Sequence, residues 1–144
     1  MKMQLVNPQK LGKFGEDRAR WFFKENSFEN VHKLETKKVF IKKYNRVVHT
    51  GGTPCDFICS IPQDGFWLPA FIEVKLCDSD KLFHSRLSDD QVKNFLSWHA
   101  CNHWSFVLWV HKQDCIMFKY PTIEFRRGKS ITLEKAKKIA WIKV

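Results

Sequence analysis

Gly51-Gly52-Thr53-Pro54-Cys55-Asp56-Phe57-Ile58, followed after a turn by Phe71-Ile72-Glu73-Val74-Lys75, sets two carboxylates and a lysine into otherwise apolar, strand-like sequence. An unpaired buried charge is costly, so these groups are expected to meet a compensating partner, most simply a divalent metal. Side chains alternate along a strand, which puts Glu73 and Lys75 on one face and turns Val74 into the core. Pro62-Gln63-Asp64-Gly65 has the composition of a tight turn. The run from Asp56 and the run ending at Lys75 are therefore expected to pair antiparallel, with Asp56 across from Glu73.

Hard cations such as Mg²⁺, for which Mn²⁺ substitutes, choose carboxylate oxygens and keep several waters, one of which can act as a nucleophile. A neighbouring ammonium can orient that water or offset developing negative charge. In outline this is a site for cleaving phosphodiesters. The competing reading is an edge-strand Glu and Lys pairing on a solvated face.

A chain of 144 residues fits one domain, taken here as 1–144, with room for a real core. Thirteen Phe and six Trp suit a compact sheet core and argue against disorder. The net charge of +10 makes nucleic acid the leading partner. No apolar run has membrane-spanning length and no signal-peptide pattern opens the chain, so a soluble cytoplasmic protein is expected. Cys55, Cys59, Cys77, Cys101 and Cys115 lack Cys-x-x-Cys spacing and read as reduced core thiols. His99 and His103 read as helix-end polar residues and not as zinc ligands.

Gly12 to Glu25 reads as an amphipathic helix with a stripe through Ala19, Phe22 and Phe23. Glu16, Ala19 and Phe23 stand at i, i+3 and i+7, which places Glu16 on the core-facing side of the first turn. It either approaches an interior site or is a first-turn acid favoured by the helix dipole. Lys37 to His49 reads as two short strands around a basic turn, whose Lys42, Lys43 and Arg46 either grip phosphates or protect a solvated edge. After Lys75 comes a polar loop, Leu76 to Leu87, in which Lys81, His84, Ser85 and Arg86 either contact DNA or only solvate the connection.

Ser88-Asp89-Asp90-Gln91 matches a capping box and starts a helix, with Val92, Phe95, Leu96 and His99 as its expected buried stripe. Trp104 to Val110 is almost continuously apolar, the mark of a strand buried on both faces. The helix joining it to the Glu73 strand predicts a parallel, right-handed crossover. Cys115 to Tyr120 follows as a strand, and a short helix begins at Thr132 with a basic exposed side.

Over about residues 12–110 these motifs resemble the PD-(D/E)xK nuclease superfamily, with Pro54, Asp56, Glu73 and Lys75 at the motif positions and Cys55 set between Pro54 and Asp56. Glu73-Val74-Lys75 followed by Arg86-Leu87-Ser88-Asp89-Asp90-Gln91 also resembles the Glu-x-Lys, Leu-Ser-x-x-Gln succession of VRR-NUC nucleases and of RecU-type and archaeal Holliday-junction resolvases. The resemblance implies an α/β, restriction-endonuclease-like domain with a mixed central sheet flanked by helices. It implies a Mg²⁺-dependent endodeoxyribonuclease acting on branched DNA, as a homodimer, in recombination or repair. Asp56, Glu73 and the Val74 carbonyl would hold the metal, Glu16 would bind a second ion or its water, Lys75 would position the attacking water, and Gln91 would lie beside them. The alternatives are a flap, nick or single-strand nuclease of the VRR-NUC kind and a DNA-binding module without catalysis.

Overall fold

The computed structural model describes residues 8–35, 37–50, 53 and 55–143, with side chains for 12–35, 42–43, 45, 53 and 55–142. Gly51, Gly52 and Pro54 of the opening motif lie outside the described residues, as does the Arg46 side chain. Helix α1 (Pro8–Glu25) begins one turn before Gly12. Proline suits that start, because its missing N–H falls where a helix has no partner for one. Glu16 consequently sits well past the first turn, and a dipole at the helix start does not explain it.

Six strands, β1 (Glu29–Lys33), β4 (Phe57–Gln63), β5 (Phe66–Leu76), β7 (Trp104–His111), β8 (Asp114–Lys119) and β10 (Ile142–Lys143), form the main sheet in the order β1-β4-β5-β7-β8-β10. Only β5 and β7 run parallel, joined by α2 (Asp89–Ala100); the other neighbours are antiparallel. β4 and β5 turn at Asp64-Gly65, where Gly65 takes φ +80°, a conformation glycine adopts without steric cost. The basic segment forms a separate hairpin of β2 (Lys37–Ile41) and β3 (Arg46–Thr50), with the short turn Lys42–Tyr44 between them.

Two cores sandwich the sheet. On one face Ala19, Phe22 and Phe23 of α1 pack on Phe57, Ile72, Phe106 and Leu108. On the other, Val92 and Phe95 of α2 and Ala136 of α3 (Leu133–Ile139) pack on Val107, Trp109 and Phe118. β7 alternates between the two cores and is buried on both sides, as its unbroken apolar run requires.

Three features differ from the sequence reading. β1 went unanticipated because Asn30 takes a positive φ and the register with β4 shifts between Glu29 and His32, which breaks the two-residue alternation. The polar loop after Lys75 contains β6 (Lys81–Phe83), paired with β9 (Ser130–Thr132), and Leu82 is fully buried there. The α2 stripe turns through Trp98, which packs on the second core, while Leu96 and His99 are exposed.

Candidate active site

The C-terminal end of β5 and the start of β4 meet at an open cleft of about 930 Å³, lined by Lys13, Glu16, Lys33, Asp56, Val74, Lys75 and Arg86 among others. Asp56 enters it because its own N–H donates to the Ile72 carbonyl (3.1 Å), which fixes the strand end opposite Glu73. Its carboxylate Oδ2 then accepts from the Val74 N–H at 2.7 Å. That bond orients the carboxylate without using its second oxygen.

Glu73 and Lys75 share the α2 side of the sheet, and Val74 packs into the first core, as the strand alternation predicts. Lys75 Nζ lies 3.3 Å from Glu73 Oε1. Gln91 ties the pair together: its Nε2 donates to Glu73 Oε1 at 2.7 Å, and its Oε1 accepts from Lys75 Nζ at 3.2 Å. The same Oε1 accepts from the Ser88 N–H (3.0 Å), while Ser88 Oγ accepts from the Gln91 N–H (3.1 Å). The capping box and the Glu73–Lys75 pair are thus one hydrogen-bond system, joined through Gln91.

Glu73 is only 3% exposed. Burial raises its pKa most, the nearby Asp56 carboxylate raises it further, and Lys75 opposes both, leaving it at about 7. Two carboxylates pressed together in this way are an incompletely neutralised negative site. Cys55, between the motif Pro54 and Asp56, points inward, its Sγ 3.1 Å from the Phe57 carbonyl, and burial pushes its thiol up to about 12. It is a neutral packing group and leaves the carboxylate side of the motif unaltered.

Glu16 lines the cleft but faces cations. Its Oε2 is 2.6 Å from Lys33 Nζ and its Oε1 is 3.2 Å from Arg20 Nη2. The hydrogen bond from Lys33 is the main reason its carboxyl is held below the ordinary range. Among the described residues, no three His, Cys, Asp or Glu side chains are grouped to hold a metal ion. The all-oxygen donors Asp56 and Glu73 fit one hard cation, with waters or phosphate completing its shell. Both Glu16 oxygens are paired with cations of the chain, Lys33 and Arg20.

Of the residues expected to touch DNA, Lys42 and Lys43 are exposed on the hairpin turn and Lys81 and Ser85 are exposed beside β6. Arg86 is exposed at the cleft, its Nη2 donating to the Leu76 carbonyl at 2.9 Å. His84 is corrected: it is 4% exposed, its Nε2 hydrogen-bonds Tyr120 Oη at 2.7 Å, and burial lowers its pKa. A neutral, buried imidazole is a core group and no phosphate ligand. Lys33 was missed because nothing local in sequence marks a lysine on an irregular strand as the partner of a glutamate in the preceding helix; Arg20, four residues after Glu16 on α1, carried a legible i,i+4 signal and was overlooked.

The fold is restriction-endonuclease-like: a mixed sheet between helices, with Asp56 at the entry to β4 beside Glu73 and Lys75 of the neighbouring β5. It matches the solved structure of Hjc, a Holliday junction resolvase of Archaeoglobus fulgidus, at TM-score 0.59 and 17% identity, over 88% of this chain and 92% of that one. No protein-family description matches the chain. No curated protein matches it either.

Proposed function

We propose that this chain is a metal-dependent DNA endonuclease that hydrolyses phosphodiester bonds in branched DNA, four-way junctions foremost. The observation that carries the reading is the meeting of Asp56, just before β4, with Glu73 and Lys75 of β5 beside the cleft that Asp56 and Lys75 line, with Gln91 bridging the buried pair. Branched DNA as substrate is supported by the likeness in fold to a structure described as a Holliday junction resolvase and by the +10 net charge. A role in recombination or repair accords with it.

Asp56 and Glu73, with the Val74 carbonyl beside them, would hold Mg²⁺ or Mn²⁺. Such an ion supplies an activated water at neutral pH and stabilises charge developing on phosphate oxygens. Lys75 offers an ammonium donor that orients the attacking water. Gln91 holds Glu73 and Lys75 at their spacing, and Arg86 and the exposed lysines of the β2–β3 turn position the phosphate backbone. Two symmetric cuts across a junction require two sites, which a twofold homodimer supplies.

A labelled four-way junction and a linear duplex, each with Mg²⁺ and with EDTA, test the reading. Metal-dependent cleavage of the junction is expected, from a dimer by light scattering. Binding to both DNAs with no metal-dependent product would leave a non-catalytic binding module. Cleavage confined to flaps, nicks or single strands, from a monomer, would move the assignment to the VRR-NUC kind of nuclease.

A further inference from the structure

We infer that Lys33 and Arg20 take the place of a second divalent cation at the Glu16 end of the cleft, so that the site binds a single ion. The inference rests on the reading of Asp56 and Glu73 as a metal site. Glu16 lies in the same cleft as Asp56 and would be the natural further carboxylate for a two-ion arrangement. Both of its oxygens are instead occupied by cations of the chain, Oε2 by Lys33 Nζ at 2.6 Å and Oε1 by Arg20 at 3.2 Å.

Backbone geometry places Lys33 there. It pairs with Phe57 across β1 and β4, and the next residue, Leu34, donates its N–H to the Asp56 carbonyl at 2.9 Å. The Lys33 ammonium is thus anchored beside the same strand end that presents Asp56. Arg20 reaches Glu16 from one helical turn further along α1, and its guanidinium lies 5.3 Å from the centre of the Phe57 ring. A divalent ion at Glu16 would have to displace both groups and would stand against two positive charges. The chain's own ammonium and guanidinium give that end of the cleft its positive charge, and Lys33 and Arg20 act there as positioning residues.

Counting bound Mn²⁺ by its electron paramagnetic resonance signal, on the DNA-free protein at pH 8 where Glu73 is ionised, tests this. The wild type is expected to bind one ion, and Glu16→Gln is expected still to bind one. The double variant Arg20→Met/Lys33→Met is expected to bind two, and adding Glu16→Gln to it should return the count to one. Two ions on the wild type, with one lost in Glu16→Gln, would overturn the inference. So would a count of one in the folded double variant, since the two cations would then not be what excludes the second ion. No ion on the wild type would instead remove the Asp56–Glu73 metal site on which the inference depends. The three variants carry changes at partly exposed side chains, and their far-ultraviolet circular dichroism should match that of the wild type.

Discussion

Replacing Gln91 by Ala separates a helix-cap role from a site role, because the two depend differently on pH. The side chain makes one bond to a neutral backbone group, the Ser88 N–H, and two to charged groups, Glu73 and Lys75. A cap bond contributes about 1 kcal/mol, and bonds to charged groups about 1.5–3 kcal/mol each. The three share one amide, and the open cleft admits water to replace part of them, so Gln91→Ala is expected to cost about 2–4 kcal/mol at pH 8. Ser88→Ala removes only the reciprocal half of the box and should cost about 1 kcal/mol at any pH. With a pKa of about 7, Glu73 holds its proton at pH 5.5, and the amide then loses its charged acceptor. The Gln91→Ala cost should fall there to about 1–2 kcal/mol. Urea unfolding of both variants and the wild type at pH 8 and pH 5.5 measures this. Equal, pH-independent losses for Ser88→Ala and Gln91→Ala would refute the coupling of cap to site.

Further outcomes are expected from the same residues. Lys75→Ala should abolish metal-dependent cleavage while junction affinity by gel shift changes less than about threefold, since a chain of net charge +10 offers the backbone many other cations; retained cleavage would take Lys75 out of the mechanism. The folded-state pKa of Glu73 lies above its ordinary value of 4.5, so between pH 4.5 and about 7 the native state holds more protons than the unfolded one. Its contribution to stability is therefore present at low pH and lost as pH rises through that window, by about 3 kcal/mol. Asp56→Asn removes one cause of the shift yet keeps an oxygen for the Val74 N–H, so the slope of stability against pH should flatten, and an unchanged slope would show that the two carboxylates do not interact. An ion held by Asp56 and Glu73 would have to expel the same proton. Apparent Mn²⁺ affinity by calorimetry should rise about tenfold per pH unit up to about pH 7 and then level off, whereas a flat profile would exclude Glu73 as a ligand.

The pairing of β4 with β5, the sharing of one face by Glu73 and Lys75, and the parallel β5–α2–β7 crossover were all legible in sequence. Each rests on local periodicity or a turn signal: alternation around Val74, the Asp64-Gly65 turn, the Ser88 capping box, and the doubly buried run of β7. Such signals act between residues a few positions apart, and they survive folding because the core rewards them. β1, β6 and β9 were not legible; the first is bulged, and the other two are three residues long, too short to show a period.

The sequence by itself therefore determined the sheet that carries the carboxylates and the helix that supplies Gln91. Tertiary structure decided which chain-distant groups meet. It brought Lys33 of β1 against Glu16 of α1, turned His84 away from solvent to Tyr120, and made Gln91 both a cap and a bridge. Ion pairs and buried hydrogen bonds depend on distances of a few ångström between chain-distant groups, and residue order sets those distances only once both cores have closed on the sheet.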